Sequence, residues 1–137
     1  MRNKAMAILQ KEAELDEIVR LVGIDALGWN DRYTLEAARM IREDYLHQNA
    51  FDEVDTYTSL IKQEYMLRLI LLLDEKGQKA LDEGANLSAL INLPVREKIG
   101  RAKYIPESDL NEKFALLEKE LLTELSSLDE QEAQTYA

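Results

Sequence analysis

Residues 24–51 read IDALGWNDRYTLEAARMIREDYLHQNAF, from Ile24 to Phe51. A short polar turn carrying Gly28 and Trp29 leads into a run with apolar residues at Leu35, Ala38, Ile41 and Tyr45. Spacings of three and four put these on one face of a helix. Asn30 or Asp31 can cap its start, because a short polar side chain there accepts from the free amides of the first turn. After Tyr45 the period is lost, and the chain passes through Gln48, Asn49 and Ala50 to the aromatic Phe51. The helix expected over Arg32 to Tyr45 is about 20 Å long. The stretch therefore reads as a rigid lever, with an exposed turn at one end and an aromatic-ended loop at the other.

The same periodicity extends outward. Ile8, Leu15, Ile18 and Val22 form one face of a helix expected over Met6 to Val22, and Gly23 stands where a left-handed residue ends it. Leu46 to Tyr57 has no helical period. Thr58 or Ser59 can cap a long helix reaching Glu83, with Gly84 closing it. Its middle, Met66 to Leu73, is apolar on nearly all sides except Arg68, the pattern of a central helix. Asn86 can cap a short helix over Leu87 to Ile91. Pro94 suits the first turn of another over Val95 to Lys103, where its missing N–H has no intrahelical partner to lose. After Pro106, Leu110, Phe114, Leu117, Leu121, Leu125 and Leu128 make a stripe at alternating spacings of four and three. Such a stripe more often packs into a core than receives a partner. The fold class read from this is all-α, a bundle of five to six helices over residues 1–128, followed by a polar, frayed tail at residues 129–137.

A chain of 137 residues with 46% hydrophobic and 32% charged residues fits one domain with a real core. The net charge of −10 repels nucleic acid, whose affinity rests on Lys and Arg neutralising phosphates. The partner chemistry it favours is basic or protein. Without cysteine there is no disulfide framework and no thiolate metal site, which suits the cytoplasm. The charged opening MRNKAMAILQKEAELDE lacks the apolar core of a signal peptide. The apolar run Leu69 to Leu73 is far short of the roughly 20 residues of a membrane span, so no direct membrane insertion is expected.

The phosphate-binding pattern GxxxxGK[ST] fits none of Gly23, Gly28, Gly77, Gly84 and Gly100. His47 has only Asp44 at useful helical spacing, so it reads as an ordinary polar residue and no metal site is expected. No nucleophile arrangement stands out, and no catalytic residue is assigned. Acidic pairs such as Glu12/Asp16 and Glu118/Glu120 are expected by chance among 27 acidic residues and read as solvated faces. Two features remain. Trp29 either meets a partner or folds back onto its own bundle. Phe51 either plugs the core or offers a flat apolar face to a planar ring.

Three stretches match a known family. LQKEAELDEIVRLVGIDAL (Leu9 to Leu27), TLEAARMIREDYLHQNAFDEVDTYTS (Thr34 to Ser59) and LPVREKIGRAKYIPE (Leu93 to Glu107) resemble the C-terminal helical domain of the catalytic A (alpha) chain of archaeal and bacterial A/V-type rotary ATPases. The more distant β subunit of F-type ATP synthase carries an acidic turn that touches the rotating shaft. The resemblance places the equivalent rotor contact at Asp25, Ala26, Leu27, Gly28, Trp29, Asn30 and Asp31. Only Asp25, Leu27 and Asp31 keep that pattern, which weakens an electrostatic contact and leaves a steric one. The resemblance also implies that Phe51, with Gln48 and Ala50 beside it, forms one edge of an adenine pocket.

The implied function is to complete the adenine pocket and to transmit nucleotide-driven closure to the central rotor shaft during ATP-coupled proton or sodium transport. ATP or ADP with magnesium belongs to the intact catalytic chain, and none is expected on this chain alone, which should not hydrolyse ATP. The implied partners are the central-stalk rotor subunit, the neighbouring B subunits and the chain's own nucleotide-binding domain. The implied location is cytoplasmic, peripheral to a membrane-bound complex. The alternative is a free-standing helical adaptor or assembly protein derived from such a domain.

Overall fold

The computed structural model describes residues 2–46 and 60–136, and every regular element among them is helical. In chain order they are α1 (Arg2–Val22), a 3-10 turn (Ile24–Ala26), α2 (Trp29–Met40) and a π-helical turn (Ile41–Leu46). After these come α3 (Leu60–Asp82), α4 (Leu87–Ile91), α5 (Pro94–Gly100), two further 3-10 turns (Ala102–Tyr104 and Glu107–Asp109) and α6 (Leu110–Tyr136). The expected all-α bundle is what the backbone forms.

Local chemistry sets most of these boundaries. Gly23 (φ 90°) and Gly84 (φ 103°) take positive-φ conformations, open to glycine at little cost, where α1 ends and just after α3. The Asn86 side chain accepts from the Ala89 amide at 3.1 Å and caps α4. Pro94 opens α5, and the Val95 amide there donates to Glu124 of α6 at 3.1 Å, so one helix caps another. α5 stops at Gly100, short of the expected Lys103, and the chain tightens into a 3-10 turn. α6 runs past Leu128 to Tyr136, through residues of good helix propensity such as Glu130, Glu132 and Ala133.

The core is built around α3. Met66, Ile70 and Leu73 are buried on it, as its apolar middle predicts. α2 packs antiparallel on one side. The Tyr33 ring lies against Gly77, and its hydroxyl donates to the Leu73 carbonyl at 3.3 Å. α6 packs on another side and runs parallel to α3. Tyr65 stacks on Phe114 with ring centroids 5.1 Å apart, and Arg68 reaches Glu118 further along both helices. The stripe Leu110, Phe114, Leu117, Leu121 and Leu125 is buried.

Two expectations are corrected. Periodicity puts Ile18 and Val22 in the core, yet they are 41% and 67% exposed. Leu15 of that face is buried as expected, and the other buried residues of α1 are Ala5 and Glu12, whose carboxylate pairs with Arg42. Composition makes Asn30 and Asp31 candidate caps, yet α2 begins at Trp29 with Gly28 as its cap residue. Asn30 instead donates across to Gln78 and Asp82 of α3, at 2.7 and 3.2 Å.

A Cβ placed on Gly77 would collide with the Cε1, Cζ and hydroxyl oxygen of Tyr33, so Gly77→Ala must push α2 and α3 apart or displace the ring. It is expected to cost about 1–3 kcal/mol and to lower the melting temperature by several degrees. Gly28 has open space around its Cβ position and an ordinary φ of −71°. Gly28→Ser adds the missing side-chain cap, and stability is expected to hold or rise by a few tenths of a kcal/mol, with the melting temperature level or about a degree or two higher. Thermal denaturation followed by circular dichroism checks both.

Candidate functional site

α1 and α2 form an antiparallel hairpin whose closed end is the stretch singled out in the sequence. The Gly23 amide closes α1 on the Val19 carbonyl at 2.9 Å, and the 3-10 turn follows. Leu27 is buried, and its amide donates to the Ile24 carbonyl at 3.0 Å. This inward leucine anchors the turn so that its neighbours face out. Trp29 is 62% exposed as the first residue of α2. The Arg32 guanidinium lies 5.1 Å from the centre of the indole and also donates to Asp25 at 3.4 Å. A single arginine thus holds the indole and the carboxylate in one arrangement.

Of the seven residues expected to meet a rotor, Asp25, Ala26, Gly28 and Trp29 lie on the exposed surface of the turn. Leu27 is buried, Asp31 is half-buried, and exposed Asn30 ties the turn to α3. Periodicity passes over Leu21 and assigns Val22 to the core, but both extend the exposed apolar surface together with Ile24. It also misses Arg32, whose position one helical turn after Trp29 is the available signal. A groove of about 550 Å³ runs beside the indole, between Trp29, Arg32, Ala85, Leu87 and Ile91.

At the open end of the hairpin, α2 passes into the π-helical turn, and Arg42 there pairs with Glu12 of α1 at 2.8 Å. Gln48, Ala50 and Phe51 follow this turn and lie outside the described residues, as does His47. Among the described residues, no three His, Cys, Asp or Glu side chains stand together to hold a metal ion. No described helix is long and apolar enough to cross a membrane.

Between the two ends, α2 is locked to its neighbours by a polar cluster. Arg96 of α5 is buried and bridges Glu36 of α2, at 3.2 Å, to the Ile91 carbonyl, at 2.9 Å. Burial raises the Glu36 carboxyl, but the hydrogen bonds and charges of Arg39 and Arg96 outweigh it and hold the group below its ordinary value. Burial pushes the Asp74 carboxyl up, with the Gln78 hydrogen bond offsetting only part of the effect. Burial also raises the Tyr33 phenol, against the opposing charge of Arg96.

Residues 1–91 match the family model described as the C-terminal domain of V and A type ATP synthase. The chain belongs to this family. The domain is 60% identical over 134 residues to the V-type ATP synthase alpha chain of Acetivibrio thermocellus, covering 98% of this chain and 23% of that protein. It is 55% identical over 130 residues to the V-type ATP synthase alpha chain of Thermoanaerobacter pseudethanolicus, covering 95% of this chain and 22% of that protein. The V-type ATP synthase alpha chain of Clostridium perfringens is 53% identical over 128 residues, 93% of this chain and 22% of its own length. The domain thus spans less than a quarter of the length of these relatives.

The two shifted carboxylates act on stability in opposite directions. Glu36 titrates below its unfolded value, so its contribution is present above that value and is lost as pH falls through the lowered one. Asp74 titrates above its unfolded value, so its contribution is present in acid and is lost as pH rises through the raised one. Asp74→Asn is therefore expected to raise the melting temperature at pH 7, by a few degrees at most, and to raise it less at pH 3. Melting curves of wild type and variant across that range check the sign.

Proposed function

We propose that this domain carries the mechanical output of a rotary ATPase catalytic subunit. Its Asp25–Asp31 turn bears on a central rotor shaft, and Phe51, with Gln48 and Ala50, forms one edge of the adenine pocket. The observation that carries this reading is the exposed indole of Trp29, at 62%, on a turn anchored by buried Leu27 in a domain of this family. Leu21, Val22 and Ile24 are 77%, 67% and 49% exposed beside it, which favours an apolar, steric contact over an electrostatic one. Asp25 faces solvent and is paired to Arg32, so its charge is already partly answered within the turn.

The hairpin suits this role. α2 packs along its length on α3, and α1 packs on α2, so displacement at the open end is delivered to the turn with little bending. The phosphate loop, the magnesium ligands and the water-activating carboxylate would come from a nucleotide-binding domain outside this chain. An arginine from a neighbouring B subunit would complete the site, and the whole would work as the peripheral, cytoplasmic part of a proton- or sodium-translocating complex.

In the intact enzyme, Trp29→Gly is expected to reduce ion transport or rotation per ATP hydrolysed, and Trp29→Glu to reduce it further. Loss of a buried interface tryptophan costs on the order of 2 kcal/mol. Coupling that stays unchanged in both variants would sink the shaft assignment. The isolated chain is expected to show no magnesium-dependent ATP hydrolysis above background, and measurable turnover by the pure domain would contradict the division of labour proposed here.

A further inference from the structure

A second groove, also of about 550 Å³, adjoins the one beside Trp29, and Ile91 lines both. Its walls include Arg39 of α2, Asn92 between α4 and α5, Pro94 and Arg96 of α5, and Arg101 just beyond that helix. Three of the chain's eight arginines therefore stand around one depression. They do so in a chain whose 27 acidic residues outnumber its 17 basic ones, so the groove runs against the charge of the molecule as a whole. Among the described residues, Glu97 is the one carboxylate in its lining.

The three guanidinium groups are only loosely committed within the chain. Arg39 and Arg96 donate to the same oxygen of Glu36, Oε2, at 2.9 and 3.2 Å. The other bond of Arg39, to Glu43 at 3.2 Å, joins two half-exposed side chains. Arg101 meets Glu97 at 2.9 Å, one helical turn away on an open surface, where such pairs contribute little. Arg96 lies deepest, at 8% exposure, held by Glu36 and by the Ile91 carbonyl. Its buried Nε has no acceptor among the described residues, which is uncommon for a buried donor.

We propose that this groove docks an acidic segment of a partner chain, with an Asp or Glu carboxylate held between Arg39 and Arg101 over buried Arg96. A guanidinium meets a carboxylate as a fork, and arginine clusters are a recurring means of reading acidic motifs. A peptide suits the space better than a small anion does. One water accounts for about 30 Å³ of liquid, so a simple ion leaves most of the groove unfilled. It also leaves Ile91 and Pro94 uncovered, whereas the stem of a peptide side chain packs on them. Glu36 keeps one arginine when the other turns toward the partner, so docking strands no carboxylate inside the domain. The remaining acidic surface repels such a segment, which confines it to this place. The site is separate from the Asp25–Asp31 turn and does not depend on how that turn is read.

The test uses the full chain and a fluorescently labelled hexaglutamate peptide, with binding followed by anisotropy. The peptide is expected to bind saturably at about 20 mM salt and roughly tenfold more weakly at about 300 mM, where screening is strong. At about 100 mM salt, Arg39→Gln/Arg101→Gln should weaken binding by roughly tenfold, since two forked contacts are lost. Both residues are exposed or half-exposed, so the melting temperature should hold within a few degrees. Arg96 is left unchanged, because it is buried and holds α5 to α2. Arg39→Lys/Arg101→Lys, which keeps the charges without the forks, should recover only part of the loss. Lys76→Gln/Lys79→Gln removes two charges that line a different groove and should change binding by less than about twofold. No saturable binding at low salt overturns the proposal. So does equal binding of hexaglutamine, or a loss in the lysine variant as large as that in the arginine one. Displacement of the peptide by an equal concentration of inorganic phosphate also overturns it, leaving a site for small anions only.

Discussion

The contact on which the rest of the domain depends is a ring laid against a glycine. Tyr33 of α2 occupies the space that a Cβ at Gly77 of α3 would fill, and its hydroxyl bonds the Leu73 carbonyl on the same helix. A glycine inside a long helix is costly in isolation, roughly 1 kcal/mol against alanine. Here it leaves room for the phenol end of Tyr33 between two helices that a side chain would hold further apart. Asn30, Gln78 and Asp82 continue the seam toward the turn. Met40 and Ile70 continue it toward the π turn. α1 is placed by α2 and α6 by α3, so the position of every long helix refers back to this seam.

The two ends of the hairpin are built from different materials. The closed end is apolar and aromatic, with one arginine holding an indole and a carboxylate in place. The open end is ionic, with Arg42 on Glu12 and Arg39 on Glu43. A surface that slides past a partner gains from contacts without strict direction, whereas a forked ion pair fixes one helix against another in orientation as well as distance.

Much of this is legible in the sequence because it rests on local chemistry. The positive-φ glycines, the Asn86 cap, Pro94 and the leucine stripe of α6 all announce themselves within a few residues. What is not legible depends on partners distant in sequence. Glu12 is buried opposite Arg42, a partner thirty residues on, and Val22 is exposed although it lies seven residues after buried Leu15 on the same side of α1. Asn30 has the composition of a cap but finds better acceptors on α3. The π turn carries no composition signal of its own. For the site, the turn is visible as an exposed aromatic after glycine, while the contribution of Leu21 and Val22 is hidden by a periodicity that assigns Val22 to the core.

The parallel course of α3 and α6 has a consequence for how the chain is made. Two helices that run the same way cannot be joined by a tight turn, so residues 83–109 must travel back along the whole of α3, about 35 Å. They do so in short pieces, α4, α5 and two 3-10 turns, and α5 draws one of its caps, Glu124, from α6 itself. Tyr65 stacks on Phe114 of α6, so that face of α3 is covered only when the last helix of the chain is in place.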